Sequence, residues 1–89
     1  MISGTVTIVN RLGLHARAAS RLVNCASAYA SEVRLVRGPR AINAKSIMGV
    51  LTLAAAKGAE LTVETEGPDE QEAFDAIVQL ISERFGEDD

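Results

Sequence analysis

The chain alternates apolar and polar residues in three short segments. Val, Ile or Leu alternates with Thr, Glu or Arg within residues 5–9, 32–35 and 61–64. A period of two is typical of strands that bury one face. Gly38 and Pro39 indicate a turn, from which residues 41–43 pair back on the second segment as a hairpin. The pattern predicts four strands, and it does not give their order in a sheet.

A different period begins directly after His15. Apolar residues then recur at spacings of three and four, which predicts one buried stripe of a helix made of Ala19, Leu22, Val23, Ala26 and Ala30. The opposite face is polar and comprises Arg17, Ser20, Arg21, Asn24 and Ser27. This segment therefore predicts an amphipathic helix whose first turn follows His15.

Two further helices are predicted from capping residues and apolar stripes. Ser46 is a good N-cap for a short helix that Gly58 ends, with a stripe of Ile47, Val50, Leu51 and Ala54. The spacing of Asp69 and Glu72 predicts a capping box for a last helix, which Gly86 ends. Its apolar face is made of Ala73, Phe74, Ile77, Leu80 and Ile81. The order β-α-β-β-α-β-α predicts one α+β domain over 1–89, with helices covering one face of the sheet.

Composition and charge narrow the class of protein. The 89 residues are 47% hydrophobic and 24% charged, and the single Cys25 excludes an internal disulfide. The start lacks the features of a signal peptide and no stretch is long enough to span a membrane, so we expect a cytoplasmic protein without membrane insertion. Residues 1–58 carry eight Lys or Arg and one acid, net +7, whereas 59–89 carry one Arg and eleven acids, net −10. This division predicts a basic face and an acidic face, provided that the fold does not mix the two parts of the chain.

The residues around His15 suggest anion chemistry. His15 follows Gly13 and lies at the start of the first helix, where free N–H groups of Ala16, Arg17 and Ala18 point at an anion. Arg17 adds a positive charge, and these neighbours disfavour a protonated imidazole. A neutral imidazole is a nucleophile toward phosphorus, and the helix end then stabilises the charge it gains. From these residues alone, an anion-handling His15 and a structural His15 both stay open.

Other chemistries lack their residues. The sequence has no His/Cys cluster for zinc, and we expect no metal and no cofactor. A Ser-His-Asp order, a P-loop and a dinucleotide-binding glycine motif are all missing. Nucleic-acid binding rests only on the basic first part of the chain, and the few aromatic residues argue against it.

Two motifs resemble the HPr family of the bacterial phosphotransferase system. The stretch Gly13-Leu14-His15-Ala16-Arg17 is followed by 45–49, Lys-Ser-Ile-Met-Gly, at the start of the second helix, and the similarity covers nearly the whole chain. The resemblance implies an open-faced β-sandwich, with a four-stranded antiparallel sheet covered on one face by three helices. It implies that His15 becomes a pros-phosphohistidine, with Arg17 as partner of the phosphate. Enzyme I supplies the group and an enzyme IIA receives it, so that the protein is a carrier and not an enzyme.

The resemblance also implies a regulatory and docking surface. Ser46 matches a serine that an HPr kinase/phosphorylase modifies in some bacteria, although a plain N-cap explains it as well. Ile47, Met48 and Leu51 match an apolar patch, and for Ile47 and Leu51 a place in the core is an equal alternative. The remaining docking candidates are polar or basic: Arg11, Ser20, Arg21 and Lys45.

The sequence departs from the family pattern in a few places. Position 18 is commonly proline in this family and is Ala18 here. Ala16 and the acidic segment 85–89 resemble the nitrogen-related branch of the family more than the sugar-transport branch. Nitrogen regulation and sugar transport therefore both stay open as functions. The alternative function is a regulatory binding module that acts through the Ser46 face. Nothing indicates an oligomer, and we expect a monomer.

Overall fold

The computed structural model describes residues 1–88, and the order of its elements is the predicted one. The strands are β1 (Ile2–Thr7), β2 (Glu32–Arg37), β3 (Arg40–Asn43) and β4 (Glu60–Glu66). The helices are α1 (Ala16–Ser27), α2 (Ile47–Thr52) and α3 (Glu70–Ser82), followed by a 3₁₀ turn, Arg84–Gly86. All strand pairs are antiparallel in the order β1-β4-β2-β3. The open-faced α+β sandwich is therefore confirmed.

The register of the sheet separates an apolar face from a polar one. Residues paired directly across antiparallel strands share a face. Val63 of β4 pairs with Leu35 of β2 on the inner face, where both side chains are buried. On the outer face Arg34 pairs with Glu64, and its guanidinium lies 3.2 Å from the Glu64 carboxylate. α3 packs against β1, β4 and β2, α1 packs against α3 and α2, and α2 also contacts β3.

Charges of opposite sign meet on the open face. Arg34 also lies 3.1 Å from Glu32 and 3.8 Å from Glu66. A hydrogen bond to Glu64 together with these carboxylates raises the pKa of Arg34. The prediction of a separate basic face and acidic face is wrong here, because strand pairing places the basic β2 beside the acidic β4.

The predicted ends of two helices are wrong. α1 ends at Ser27, so Ala30 lies outside the helix and is exposed. α2 ends at Thr52, because the chain then leaves the helix to bury Leu53 and Ala55, while Ala54 is exposed at φ +49°. Gly58 is consequently not its C′ residue, and its N–H donates to the carbonyl of Ile8 at 2.8 Å.

Asp69 occupies the N-cap position of α3, but the predicted capping box is not formed. Its carboxylate accepts hydrogen bonds from the Ser31 hydroxyl at 2.5 Å, from the Ser31 N–H at 2.9 Å and from the Ala30 N–H at 3.0 Å. The hydroxyl and amide donors hold the pKa of Asp69 below its ordinary value of 3.8. Asp69 therefore joins the start of α3 to the loop before β2, and Glu72 is exposed.

The apolar face of α3 is only partly buried. Ala73, Ile77 and Ile81 are fully buried, whereas Phe74 and Leu80 pack against the core at its edge. The helix ends at Ser82, so Gly86 is not its last residue. Gly86 closes the following 3₁₀ turn instead, at φ +80°.

Candidate functional site

The loop before α1 is held by glycine geometry and a buried amide. Gly13 has φ +68°, and a Cβ there would lie 2.5 Å from the carbonyl oxygen of Ala55. The next residue, Leu14, is buried and its N–H donates to the same oxygen at 2.9 Å. Asn10 is fully buried and donates from Nδ2 to the Gly13 carbonyl at 2.8 Å. These contacts fix the chain directly before His15.

His15 is the N-cap of α1. Its backbone is extended (φ −76°, ψ 176°), and its Nδ1 accepts a hydrogen bond from the Arg17 N–H at 3.3 Å. The first turn contains no acid, so the positive end of the helix lies at the imidazole. The side chain is 27% exposed, which leaves part of the ring accessible to a partner.

The residues in the first turn of α1 differ in how far they are exposed to solvent. Ala16 and Arg17 are exposed, and within residues 1–88 the Arg17 guanidinium has no hydrogen bond or ion pair. It is therefore available to an incoming anion. Ala18 is fully buried, with none of its surface exposed. The predicted phosphate contact from its backbone N–H stays a prediction.

A carboxylate from the end of the chain completes the site. Oε2 of Glu87 lies 2.5 Å from Nε2 of His15, and its Oε1 accepts from Nδ2 of Asn10 at 3.0 Å. Burial raises the pKa of Glu87, but hydrogen bonds from Asn10 and His15 and the positive charge of Arg21 outweigh this effect. The pKa therefore lies below its ordinary value of 4.5.

Sequence reasoning did not identify Glu87 or Asn10 as site residues. The positive groups predicted beside His15 are therefore accompanied by a carboxylate that the sequence did not indicate locally. The excess of acids in the second part of the chain was the one available signal, since it makes a carboxylate near the basic loop favourable.

Residues 84–88 are anchored beside His15 by packing and by a hydrogen bond. Phe85 is 1% exposed although its φ of +55° is costly for a residue with a bulky side chain. Arg21, a predicted docking residue, is exposed, and its guanidinium donates to the Phe85 carbonyl. We refer to residues 84–88 as the C-terminal strap.

Most of the predicted docking residues are exposed, and others pack against the core or form hydrogen bonds. Met48 is 69% exposed and Ile47 is 39% exposed, so Ile47 does not belong to the core. Leu51 packs against the core and is half-buried. Leu12, in the loop before His15, is 60% exposed and was not predicted. Ser20 and Arg11 are exposed on the same part of the chain as His15.

Ser46 and Lys45 have structural partners at the start of α2. Ser46 Oγ accepts from the Gly49 N–H at 3.1 Å, which confirms Ser46 as the N-cap. Lys45 Nζ donates to the carbonyl of Tyr29 at 2.8 Å, which connects it to the loop that follows α1. In the described part of the chain, no group of three or more His, Cys, Asp or Glu could hold a metal ion. No helix within residues 1–88 is long and apolar enough to cross a bilayer.

Comparison with known proteins gives consistent similarities. The family described as "PTS HPr component phosphorylation site" matches residues 2–83. The phosphocarrier protein HPr of Cupriavidus necator is 53% identical over 87 residues, which is 98% of each chain. The crystal structure of HPr-C-His from Thermoanaerobacter tengcongensis has a TM-score of 0.95 at 41% identity, covering 99% of each chain. An HPr dimer from the same organism has a TM-score of 0.79 at 41% identity, covering 98% of this chain and 100% of that one. Both His15 and Ser46 lie inside the matched range.

Proposed function

The chain belongs to the HPr family and is a phosphocarrier of the phosphotransferase system, and we propose that His15 is the residue that carries the phosphoryl group. The observation that carries this proposal is the position of Nδ1, which faces the N–H of Arg17 at the positive end of α1. A group bonded to Nδ1 lies where helix N–H donors favour negative charge. The acceptor is thus the pros nitrogen.

Arg17 is proposed as the charge partner of the phosphoryl group. Its guanidinium is exposed and has no partner within residues 1–88, so binding a phosphate requires no existing contact to break. A guanidinium presents paired donors that match phosphate oxygens. When the phosphoryl group occupies Nδ1, the N–H groups of Ala16 and Arg17 are the exposed backbone donors of the first turn.

The partners follow from the family. We propose that enzyme I, phosphorylated by phosphoenolpyruvate, donates the group and that an enzyme IIA receives it. Leu12, Ile47 and Met48 supply exposed apolar contacts for these proteins, since large exposed apolar side chains are typical of interaction sites. His15 and Arg17 come from the same chain, which supports a carrier that acts as a monomer, and we propose a cytoplasmic location from its family. The branch, sugar transport or nitrogen regulation, stays a prediction.

We propose Ser46 as a regulatory phosphorylation site on the basis of its position in the structure. Its hydroxyl lies at a helix start, where a phosphate would be tolerated by the fold, and Ile47 and Met48 follow it on the surface. A phosphoserine would therefore act on partner docking more than on stability. The separate binding-module function has no observation in its favour, because His15 and Arg17 are both present.

The test is phosphorylation with enzyme I and phosphoenolpyruvate, followed by intact mass. We expect one acid-labile phosphoryl group on the wild type and none on His15→Ala. Arg17→Ala is expected to fold, by circular dichroism, and to accept the group more slowly by roughly 100-fold, the scale of one lost transition-state charge contact. An unmodified wild type in the presence of active enzyme I contradicts the proposal. Uptake by Arg17→Ala at the wild-type rate removes Arg17 from it.

A further inference from the structure

The contact between Glu87 and His15 is not used in the transfer described above. Oε2 of Glu87 and Nε2 of His15 are 2.5 Å apart, on the side of the ring opposite Nδ1. We propose that Glu87 is a positioning residue, which holds the proton of His15 on Nε2 and so keeps the lone pair of Nδ1 free to attack phosphorus. This inference rests on the proposed function of His15.

The two ring nitrogens have partners of opposite kinds. A carboxylate oxygen only accepts hydrogen bonds, so the Glu87 contact requires a proton on Nε2. A backbone N–H only donates, so the Arg17 contact requires a lone pair on Nδ1. Both contacts therefore select the same neutral tautomer of His15, in which the unprotonated nitrogen faces the helix start.

The charge on the ring changes when the group is transferred. The Nδ1 lone pair forms the N–P bond while the bond between phosphorus and the donor breaks, and that electron pair leaves with the donor. The proton stays on Nε2, so the ring becomes cationic beside three phosphoryl oxygens. Glu87 then faces a positive ring, and the attraction between them keeps the ring protonated to higher pH.

The strap holds the Glu87 carboxylate in place. Phe85 is buried two residues earlier, and the amide of Asn10 fixes Oε1. The titratable and charged groups that face this carboxylate are the imidazole of His15, the N-cap of α1, and the guanidinium of Arg21 from α1. Arg11 of the loop before α1 and Asp88 of the strap line the adjoining surface groove with Glu87, and Arg84 lies in the same strap.

The experiment compares Glu87→Gln with Asp88→Asn. Both substitutions remove one negative charge from the strap, and only the first removes the carboxylate that contacts His15. Each protein is loaded with enzyme I and phosphoenolpyruvate, and hydrolysis of the phosphoryl group is followed as a function of pH. Water attacks phosphorus, the N–P electron pair returns to Nδ1, and a protonated ring is the better leaving group.

We expect hydrolysis of phosphorylated Glu87→Gln to accelerate at a pH lower by about one unit, the size of shift typical of losing one close opposite charge. At pH values between the midpoints of the two profiles, phosphorylated Glu87→Gln is then hydrolysed about tenfold more slowly than the phosphorylated wild type. Asp88→Asn is expected to follow the wild-type profile. In ¹⁵N spectra of the unphosphorylated proteins, the preference for a proton on Nε2 should weaken in Glu87→Gln alone.

Coinciding profiles for Glu87→Gln and the wild type overturn the proposal, whether or not the strap stays packed. The position of the strap is monitored through the ring resonances of Phe85. If Asp88→Asn shifts the profile as much as Glu87→Gln, general charge and not the contact is responsible, which also overturns it. Absence of phosphorylation in every protein, the wild type included, instead contradicts the proposed function.

Discussion

Replacing Gly13 with alanine tests how the loop before His15 is held. Gly13 has φ +68°, and the added Cβ would lie 2.5 Å from the Ala55 carbonyl oxygen and 2.9 Å from Ala56 Cα. Gly38, in the turn between β2 and β3, has a similar φ of +58° with no atom within 4 Å of a Cβ. Gly38→Ala is therefore a matched control, since the two substitutions share the backbone strain and differ in the clash.

The expected losses of unfolding free energy follow from these two terms. A left-handed alanine costs about 1–2 kcal/mol at either position. The backbone clash adds about 1–3 kcal/mol at Gly13 only, as for an overpacked core. For a domain of this size each kcal/mol lowers the melting temperature by about 4–8 °C. Gly13→Ala should thus melt clearly below Gly38→Ala.

Thermal denaturation followed by circular dichroism measures this difference, with urea denaturation as a second assay. Phosphoryl uptake gives an independent readout, because a displaced Gly13 moves the carbonyl that accepts from the His15 N–H at 2.9 Å. We expect slower uptake for Gly13→Ala and normal uptake for Gly38→Ala. Equal melting temperatures for the two variants would refute the reasoning from the Ala55 contact.

Two further predictions concern side chains at helix starts. Ser46→Ala removes the oxygen that accepts from the Gly49 N–H and should lower the free energy of unfolding by about 1 kcal/mol. Ser46→Asp keeps an acceptor at this position and should retain wild-type stability. Equal urea midpoints for the two variants would contradict a capping role. The pKa of Asp69 is lowered in the folded protein. Its contacts with Ser31 and Ala30 therefore stabilise the fold fully at pH values above 3.8, the ordinary pKa of this group. That stabilisation is lost as the pH falls through the lower pKa of the folded state. The stability difference between wild type and Asp69→Asn, measured by urea denaturation across acidic pH, should therefore shrink below about pH 4; a pH-independent difference would exclude this linkage.

The elements of the fold were predictable because their signals are local. Alternation with a period of two identifies which strand residues face the core, and Val33, Leu35, Leu61 and Val63 are all buried. The polar stripe of α1 is likewise exposed as predicted. Helix ends were less predictable, since α2 stops where burial of Leu53 and Ala55 outweighs the continuation of an apolar stripe. Periodicity contains no information about that competition.

Asp69 shows why capping patterns mislead. The spacing to Glu72 matches a capping box, yet the carboxylate binds Ser31 and the N–H of Ala30, which are distant in sequence. Such a partner becomes available only after β2 and α3 come together. The local pattern predicted the position of the helix start correctly and its hydrogen bonds wrongly.

The functional site, like the fold, was predictable where its signals are local in sequence. The motif around His15 and Arg17 lies within a few residues, so its chemistry can be read from the sequence. Glu87 is 72 residues from His15, and no local pattern links them. Only the charge difference between the two parts of the chain indicated that acids approach the basic loop.

The strand order determines when during synthesis this protein can fold. β4 is a central strand of the sheet and pairs with both β1 and β2, yet it is the last of the four strands to be made. A nascent chain of residues 1–58 already contains His15 and Ser46, but β1 has no neighbour and β2 has only β3. We therefore expect such an intermediate to remain unfolded and open to proteases, and folding to be a single late event dominated by long-range pairing.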